Sequence, residues 1–440
     1  MPVRGLAAPP SWMSKGLLAA LDQGTYSITM FVTSVVLARS LSPAEYGAYA
    51  LVFAALLLIG TFQDSLVTEP LLVYGASKYR QAFGPYFEML AGWQIITTVG
   101  FSLCLAAVVA AMPGRFPHPW SENILGLAVA MPPILLAWLV RRAFYARTAP
   151  GEALVNSLAQ AACIIAGLYF VVTAGRMTAL VAFLILGGGA AVSASLGWYR
   201  IRKAGRGSRA VFQPREPVLD HWRYGRWLLL SNVPAWFVLN GYTVLAGALL
   251  ALNDVAGLRA IQTLVAPIPV MLNAFGTLTL PWLVRQRADA GPRTLMTSVA
   301  RLSWVFVGLA LLAAGPLLVW GGTFTSLLYG GRYAEYLWLL PYLAGAQLLA
   351  SGCIGLGLGL RTFEASRRLL IASLIAATSV AAVGYVAIRL AGLHGLAFST
   401  IITQAVAGWA FFTQLRRESR GRAATNLHPV VGWAPVDRLG

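Results

Sequence analysis

Charge is scarce in this chain, and acid is scarcer still. Charged residues make up 11% of the 440, with 15 Asp or Glu against 33 Lys or Arg. Soluble domains carry about 25% charged residues, so a soluble fold is excluded. The three cysteines, Cys104, Cys163 and Cys353, are far apart in long apolar stretches. They exclude a disulfide framework and read as small buried hydrophobes. The four histidines, His118, His221, His394 and His428, show no metal-ligand spacing, so neither a metal nor a cofactor is expected. No Walker sequence is present, which excludes ATP hydrolysis by the chain itself. Gly355, Gly357 and Gly359 alternate inside an apolar stretch, where they suit close helix packing rather than phosphate binding. No loop is long enough for a folded catalytic domain, so no enzyme is expected.

What the chain has instead is twelve long apolar stretches. A hydrocarbon core about 30 Å thick needs about 20 apolar residues of helix. The predicted spans are Gly16–Ala38, Tyr46–Leu66, Tyr86–Met112, Asn123–Val140, Ala153–Thr173 and Thr178–Tyr199, then Trp227–Leu252, Leu258–Val284, Ser298–Val319, Leu337–Leu360, Leu369–Leu390 and His394–Leu415. Basic residues fill every second gap. Six of the 33, Arg39, Arg115, Arg176, Arg259, Arg332 and Arg389, fall singly in one set of loops, and the remaining 27 cluster on the other side. Lys and Arg concentrate in cytoplasmic loops, so both termini are expected in the cytoplasm of a multi-pass inner-membrane protein. The net charge of +18 then faces the anionic lipids of the inner leaflet, and no nucleic acid partner is needed to explain it.

The expected fold is all-α: a polytopic membrane protein with two six-helix bundles related by a parallel repeat. Residues 1–15 form an N-terminal cytoplasmic segment, 16–199 the first bundle, 200–226 a flexible basic linker, 227–415 the second bundle, and 416–440 a basic tail expected to be disordered. The repeat is read from Gly47-Ala48-Tyr49-Ala50-Leu51 and Gly257-Leu258-Arg259-Ala260-Ile261, which open the second helix of each half. Parallel repeats about an axis along the membrane normal are one transporter plan.

Pro132, Pro133, Pro234, Pro267, Pro269, Pro316 and Pro341 lie well inside spans. Each frees a carbonyl that lipid cannot satisfy, so these segments should face protein or a water-filled cavity. Asn232, Asn240, Gln262 and Asn273 concentrate in the seventh and eighth spans. They serve either interhelical hydrogen bonds or a cavity lining. Asp22 lies about 10 Å into the first span at 1.5 Å per residue, next to Gln23, and Asp64 lies near the inner end of the second. Two acids at similar depth can share a proton or a small cation; the alternative is a helix-end residue paired with a lysine. The expected cavity set is Asp22, Gln23, Asp64, Asn240, Gln262 and Asn273, lined by the first, second, seventh and eighth spans.

Leu37-Ala38-Arg39-Ser40-Leu41-Ser42-Pro43-Ala44-Glu45-Tyr46-Gly47-Ala48-Tyr49 resembles the turn between helices one and two of bacterial polysaccharide-biosynthesis flippases. These belong to the multidrug/oligosaccharidyl-lipid/polysaccharide exporter superfamily. Gly257 to Leu264 with Pro267 and Leu280-Pro281, Tyr329-Gly330-Gly331-Arg332-Tyr333, and Gly392-Leu393-His394-Gly395-Leu396-Ala397 resemble later stretches of the same family. The resemblance implies a flippase that moves an undecaprenyl-diphosphate-linked oligosaccharide to the periplasmic leaflet by alternating access, with polysaccharide polymerase or export machinery as partners. The related peptidoglycan-precursor flippases have cavity arginines in helix one, where this chain has Asp22 and Gln23. Diphosphate contacts would then fall to Lys78, Arg80, Arg141, Arg142 and Arg147, since Arg suits bidentate phosphate binding. An ion-coupled multidrug exporter of the same fold is the alternative, and a membrane-embedded glycan polymerase or ligase is the third reading.

Overall fold

A computed structural model of the chain describes residues 11–204 and 215–425. Its helices are α1 (Ser11–Ser40), α2 (Pro43–Gln63), α3 (Glu69–Ala76), α4 (Phe83–Ala111), α5 (Trp120–Ala146), α6 (Pro150–Thr173), α7 (Ala179–Ala204), α8 (Arg215–Leu249), α9 (Leu252–Val265), α10 (Pro267–Tyr329), α11 (Leu339–Thr362) and α12 (Ser366–Thr425). The described residues contain no strand.

These elements give the twelve expected crossings, though not one helix each. The second span is α2, a π-helical turn at Asp64–Thr68, and α3. The eighth is α9 plus the start of α10, bent by 42° where Pro267 cannot continue the hydrogen-bond ladder. Helix α10 then holds both the rest of that span and the ninth. A loop was expected between Val284 and Ser298, but the backbone there is helical. The chain nevertheless doubles back, because Ser298 Oγ donates to Gln286 Oε1 at 2.7 Å. In a straight helix twelve residues would separate these groups by about 18 Å. Helix α12 holds the last two spans across a break at Ala391 and Gly392, the latter at φ 56°, where glycine tolerates the left-handed backbone.

Helices α1 to α7 pack together as one half and α8 to α12 as the other. The principal contacts between halves are α2 with α8 and α9. The proposed boundaries at 200 and 226 fall inside helix, since α7 runs through Ala204 and α8 begins at Arg215; residues 205–214 lie outside the described set. The tail expected to be disordered from Arg416 is helical through Thr425, with Arg368 and Glu418 paired. Residues 1–10 and 426–440 lie outside the description. The cysteines depart from expectation: Cys104 and Cys163 are exposed and Cys353 is partly so, because apolar groups on the rim of a membrane bundle face lipid.

The positive-inside rule also predicts the topology. Cysteines introduced at Ala44 and Asn253 should react with an impermeant maleimide on intact cells. Reaction only after lysis would reverse the orientation.

Candidate functional site: a polar cavity between the halves

At the opposite end from the termini the two halves are sealed. The α1–α2 turn begins with a capping box, in which Ser42 and Glu45 satisfy each other's backbone N–H groups. The following turn of α2 lies flush on the start of α9. A Cβ on Gly47 would stand 2.1 Å from the Leu252 carbonyl oxygen. Arg332, just after α10, donates to the carbonyls of Arg39 at 2.7 Å and Leu41 at 2.8 Å. Ser34 bridges the Tyr46 hydroxyl at 2.9 Å and Thr263 at 3.1 Å. Glu45, His118 and Glu122 also meet at this end, with ligand atoms within 4.8 Å of one another. Sequence spacing could not show that grouping. His118 stands 3.7 and 3.5 Å from the two carboxylates and is 61% exposed, so the group lies open to solvent.

Nearer the termini the halves part around a cavity of about 550 Å³. Its walls come from α1 (Gln23, Tyr26), α2 and the π turn (Thr61, Asp64), α5 (Trp138, Arg141, Arg142, Tyr145) and α8 (Asn232, Trp236, Asn240). The first, second and seventh spans therefore line it as expected. The eighth does not among the described residues, and the fourth does. Trp138, Arg141, Arg142 and Tyr145 recur at helical spacing, so one face of α5 points inward. That periodicity was readable in the sequence and is the signal that would have found Trp138 and Tyr145. Trp236 sits two residues after Pro234, where the helix has lost a hydrogen bond.

The acids and arginines of the site are paired with each other. Asp22 is fully buried. It accepts from Arg141 Nε at 2.9 Å and Arg141 Nη2 at 2.7 Å, from the Tyr145 hydroxyl at 2.5 Å and from Ser157 Oγ at 2.5 Å. Arg141 also donates to Gln23 at 3.0 Å and lies over the Tyr26 ring. Asp64 accepts from Thr68 Oγ1 at 2.5 Å and lies 3.5 Å from Arg142, which is also 3.5 Å from Glu69. The expected Asp22–Asp64 pair sharing one proton or cation is thus replaced by two separate acid–arginine pairs. Successive residues of α5 supply the arginines.

Other expected site residues fall elsewhere. Gln262, on α9, accepts from Thr243 at 3.4 Å, and Asn273 donates to the Pro269 carbonyl one turn back at 2.8 Å; neither lines the cavity. Of the five diphosphate candidates only Arg141 and Arg142 do. Arg147 follows the end of α5, its guanidinium 5.9 Å from the Phe83 ring. Arg80 is exposed in the α3–α4 loop. Lys78, in the same loop, donates to Asp220 of α8 at 2.7 Å. That hydrogen bond holds the Lys78 ammonium above the usual lysine range. Burial, with a second bond to Asp220, pushes Tyr79 up to about 12.

Comparison with known proteins agrees with this architecture. No curated protein sequence matches. Among solved structures, an inward-facing multidrug-resistance MATE transporter of the MOP superfamily superposes with TM-score 0.74 at 13% identity, covering 92% of this chain and 99% of that one. An outward-facing MATE transporter of the same superfamily gives 0.64 at 12%, over 94% and 96%. A MATE transporter of Vibrio cholerae gives 0.63 at 14%, over 93% and 98%. These likenesses establish the fold. The family model described as "Polysaccharide biosynthesis protein" matches residues 14–286, most of the chain, and the protein belongs to that family.

Proposed function

We propose that this membrane transporter is a flippase for a lipid-linked oligosaccharide, which it moves by alternating access from the cytoplasmic to the periplasmic leaflet. The observation that carries the reading is the state of Arg142. It lines the cavity, is 41% exposed, and holds its two carboxylates only at 3.5 Å. It can therefore turn to a diphosphate, for which a planar guanidinium offers paired donors. Around it Tyr26, Trp138 and Trp236 offer ring faces, and Asn232, Asn240 and Gln23 offer amides, a lining suited to sugar rings and hydroxyls. The sealed end opposite the termini and the cavity nearer them fit a conformer that takes substrate from the terminal, cytoplasmic side. A cationic-drug exporter fits less well, because the deepest acid, Asp22, is already enclosed by Arg141, Tyr145 and Ser157.

In a deletion strain that accumulates the lipid-linked intermediate, Arg142→Gln should restore export at least tenfold less well than the native chain. Arg147→Gln, outside the cavity, should restore it fully. Equal restoration by both would overturn the reading, and altered drug resistance with no lipid-linked intermediate would point to the multidrug exporter.

A further inference from the structure

Away from the cavity, one set of His and carboxylate side chains among the described residues converges closely enough to hold a metal ion: Glu45, His118 and Glu122. Glu45 lies in the first turn of α2 and Glu122 in the first turn of α5, with His118 in the turn just before α5. One ligand atom from each falls within 4.8 Å of the others. Tetrahedral ligands at about 2.0–2.2 Å from a zinc ion stand about 3.3–3.6 Å apart. His118 Nε2 is 3.7 Å from Glu45 Oε1, and His118 Nδ1 is 3.5 Å from Glu122 Oε1. The imidazole offers one nitrogen to an ion, so the other carboxylate must swing to the same side. Glu122 is 38% exposed and can rotate to do so without repacking a core.

Two further observations set this group apart from a chance meeting of surface acids. The first is charge. Lys and Arg outnumber Asp and Glu by 33 to 15, and every other ion pair among the described residues sets a carboxylate against one of them. Glu45 and Glu122 have no such partner among the described residues and converge on an imidazole instead. A neutral imidazole gives two carboxylates no counter-charge, yet it is a good ligand for an ion that does. The second is preorganisation. Glu45 Oε2 accepts from the Ser42 backbone N–H at 3.0 Å and from Ser42 Oγ at 2.7 Å, while Oε1 turns to His118. Hydrogen bonds of that kind fix a ligating carboxylate before the metal arrives.

We propose that Glu45, His118 and Glu122 bind a divalent transition-metal ion of the zinc type, with water completing the coordination. Imidazole with carboxylates suits such an ion, whereas Mg²⁺ and Ca²⁺ take oxygen shells. The ion ties the α1–α2 turn to the turn before α5. All three ligands belong to the first half, so the metal braces the rim of that half without reaching the second. Its binding does not depend on what the cavity carries.

The test is titration of the untagged full chain in detergent, stripped of metal by a chelator that is then removed. Zinc chloride is added in competition with a fluorescent zinc indicator, and the protein is melted with and without it. The native chain should take up zinc at this site and melt at a higher temperature when zinc is present. Affinity should fall at least tenfold in His118→Ala and in Glu122→Gln. Glu45→Gln should weaken zinc binding as much while preserving the start of α2, because glutamine also closes a capping box. His118→Cys should keep the metal, since a thiolate replaces the imidazole as ligand. Melting without zinc checks that each variant is folded. Zinc held as tightly by the three ligand variants as by the native chain would overturn the site, and so would a native melting temperature that zinc does not raise.

Discussion

Replacing Arg141 with Gln should destabilise the protein by about 3–5 kcal/mol, the usual result of stripping a buried charge of its partner. Asp22 has no exposed surface, and Arg141 supplies two of its four donors at 2.7–2.9 Å. Without the guanidinium, a carboxylate is left buried in a helix packed against α6 with only two hydroxyls to stabilise it. The purified variant should melt well below the native protein, and less of it should reach the membrane. Asp22→Asn should be similarly damaging, because it strands the guanidinium instead. The double variant, Asp22→Asn with Arg141→Gln, removes both charges and should recover more than half of the lost stability. This cycle also separates two roles for Asp22. If Asp22 binds a coupling ion, the double variant stays inactive even when folded. If it clamps α1 to α5, export returns together with stability. Single variants that melt like the native protein would refute the clamp.

Gly47→Leu should abolish export by a different route. The 2.1 Å approach of its Cβ position is to the backbone of Leu252, which cannot move aside as a side chain could. Gly47 is on α2 and Leu252 begins α9, so the added bulk can be housed only by parting the two halves at the end away from the termini. The closed form of that end would be lost while each half stays folded. A cysteine at Thr263, buried in the native protein and joined to Ser34, should then react with an impermeant maleimide at least ten times faster. Unchanged reactivity with normal export would mean that the sealed end plays no part in the cycle.

Much of the fold was legible because membrane physics writes it in one dimension. Span number follows from apolar length, and the expected orientation follows from where arginines are allowed. Gly47 and Gly257, the glycines read as repeat markers, both stand at close approaches, Gly47 to the Leu252 backbone and Gly257 to the Tyr336 ring. The site was less legible because its pairings are long-range. Asp22 and Arg141 are 119 residues apart, and spacing alone could not tell an arginine anchoring a helix to headgroups from one holding a buried acid. The expectation for Asp22 and Asp64 failed at that point: the two acids meet neighbouring residues of α5, Arg141 and Arg142, and position along a span gave no information on which helix stood beside them. The π turn was unreadable in kind. An apolar run interrupted by Asp64, Thr68 and Pro70 signals an irregularity, yet it does not distinguish a kink, a break or one extra residue per turn.

The clamp on Asp22 also bears on how the protein is made. Helix α1 is long enough to cross a membrane but is not among the helices whose composition alone marks them as spans, and it carries a buried carboxylate, Asp22. Its partners, Arg141 and Tyr145 on α5 and Ser157 on α6, leave the ribosome more than a hundred residues later. During synthesis α1 must therefore wait, held at the insertion machinery or resting shallowly at the interface, until the fifth and sixth helices arrive to neutralise it. A nascent chain stopped after α4 would leave its first helix only weakly committed to the bilayer, and one extended past α6 would draw it in.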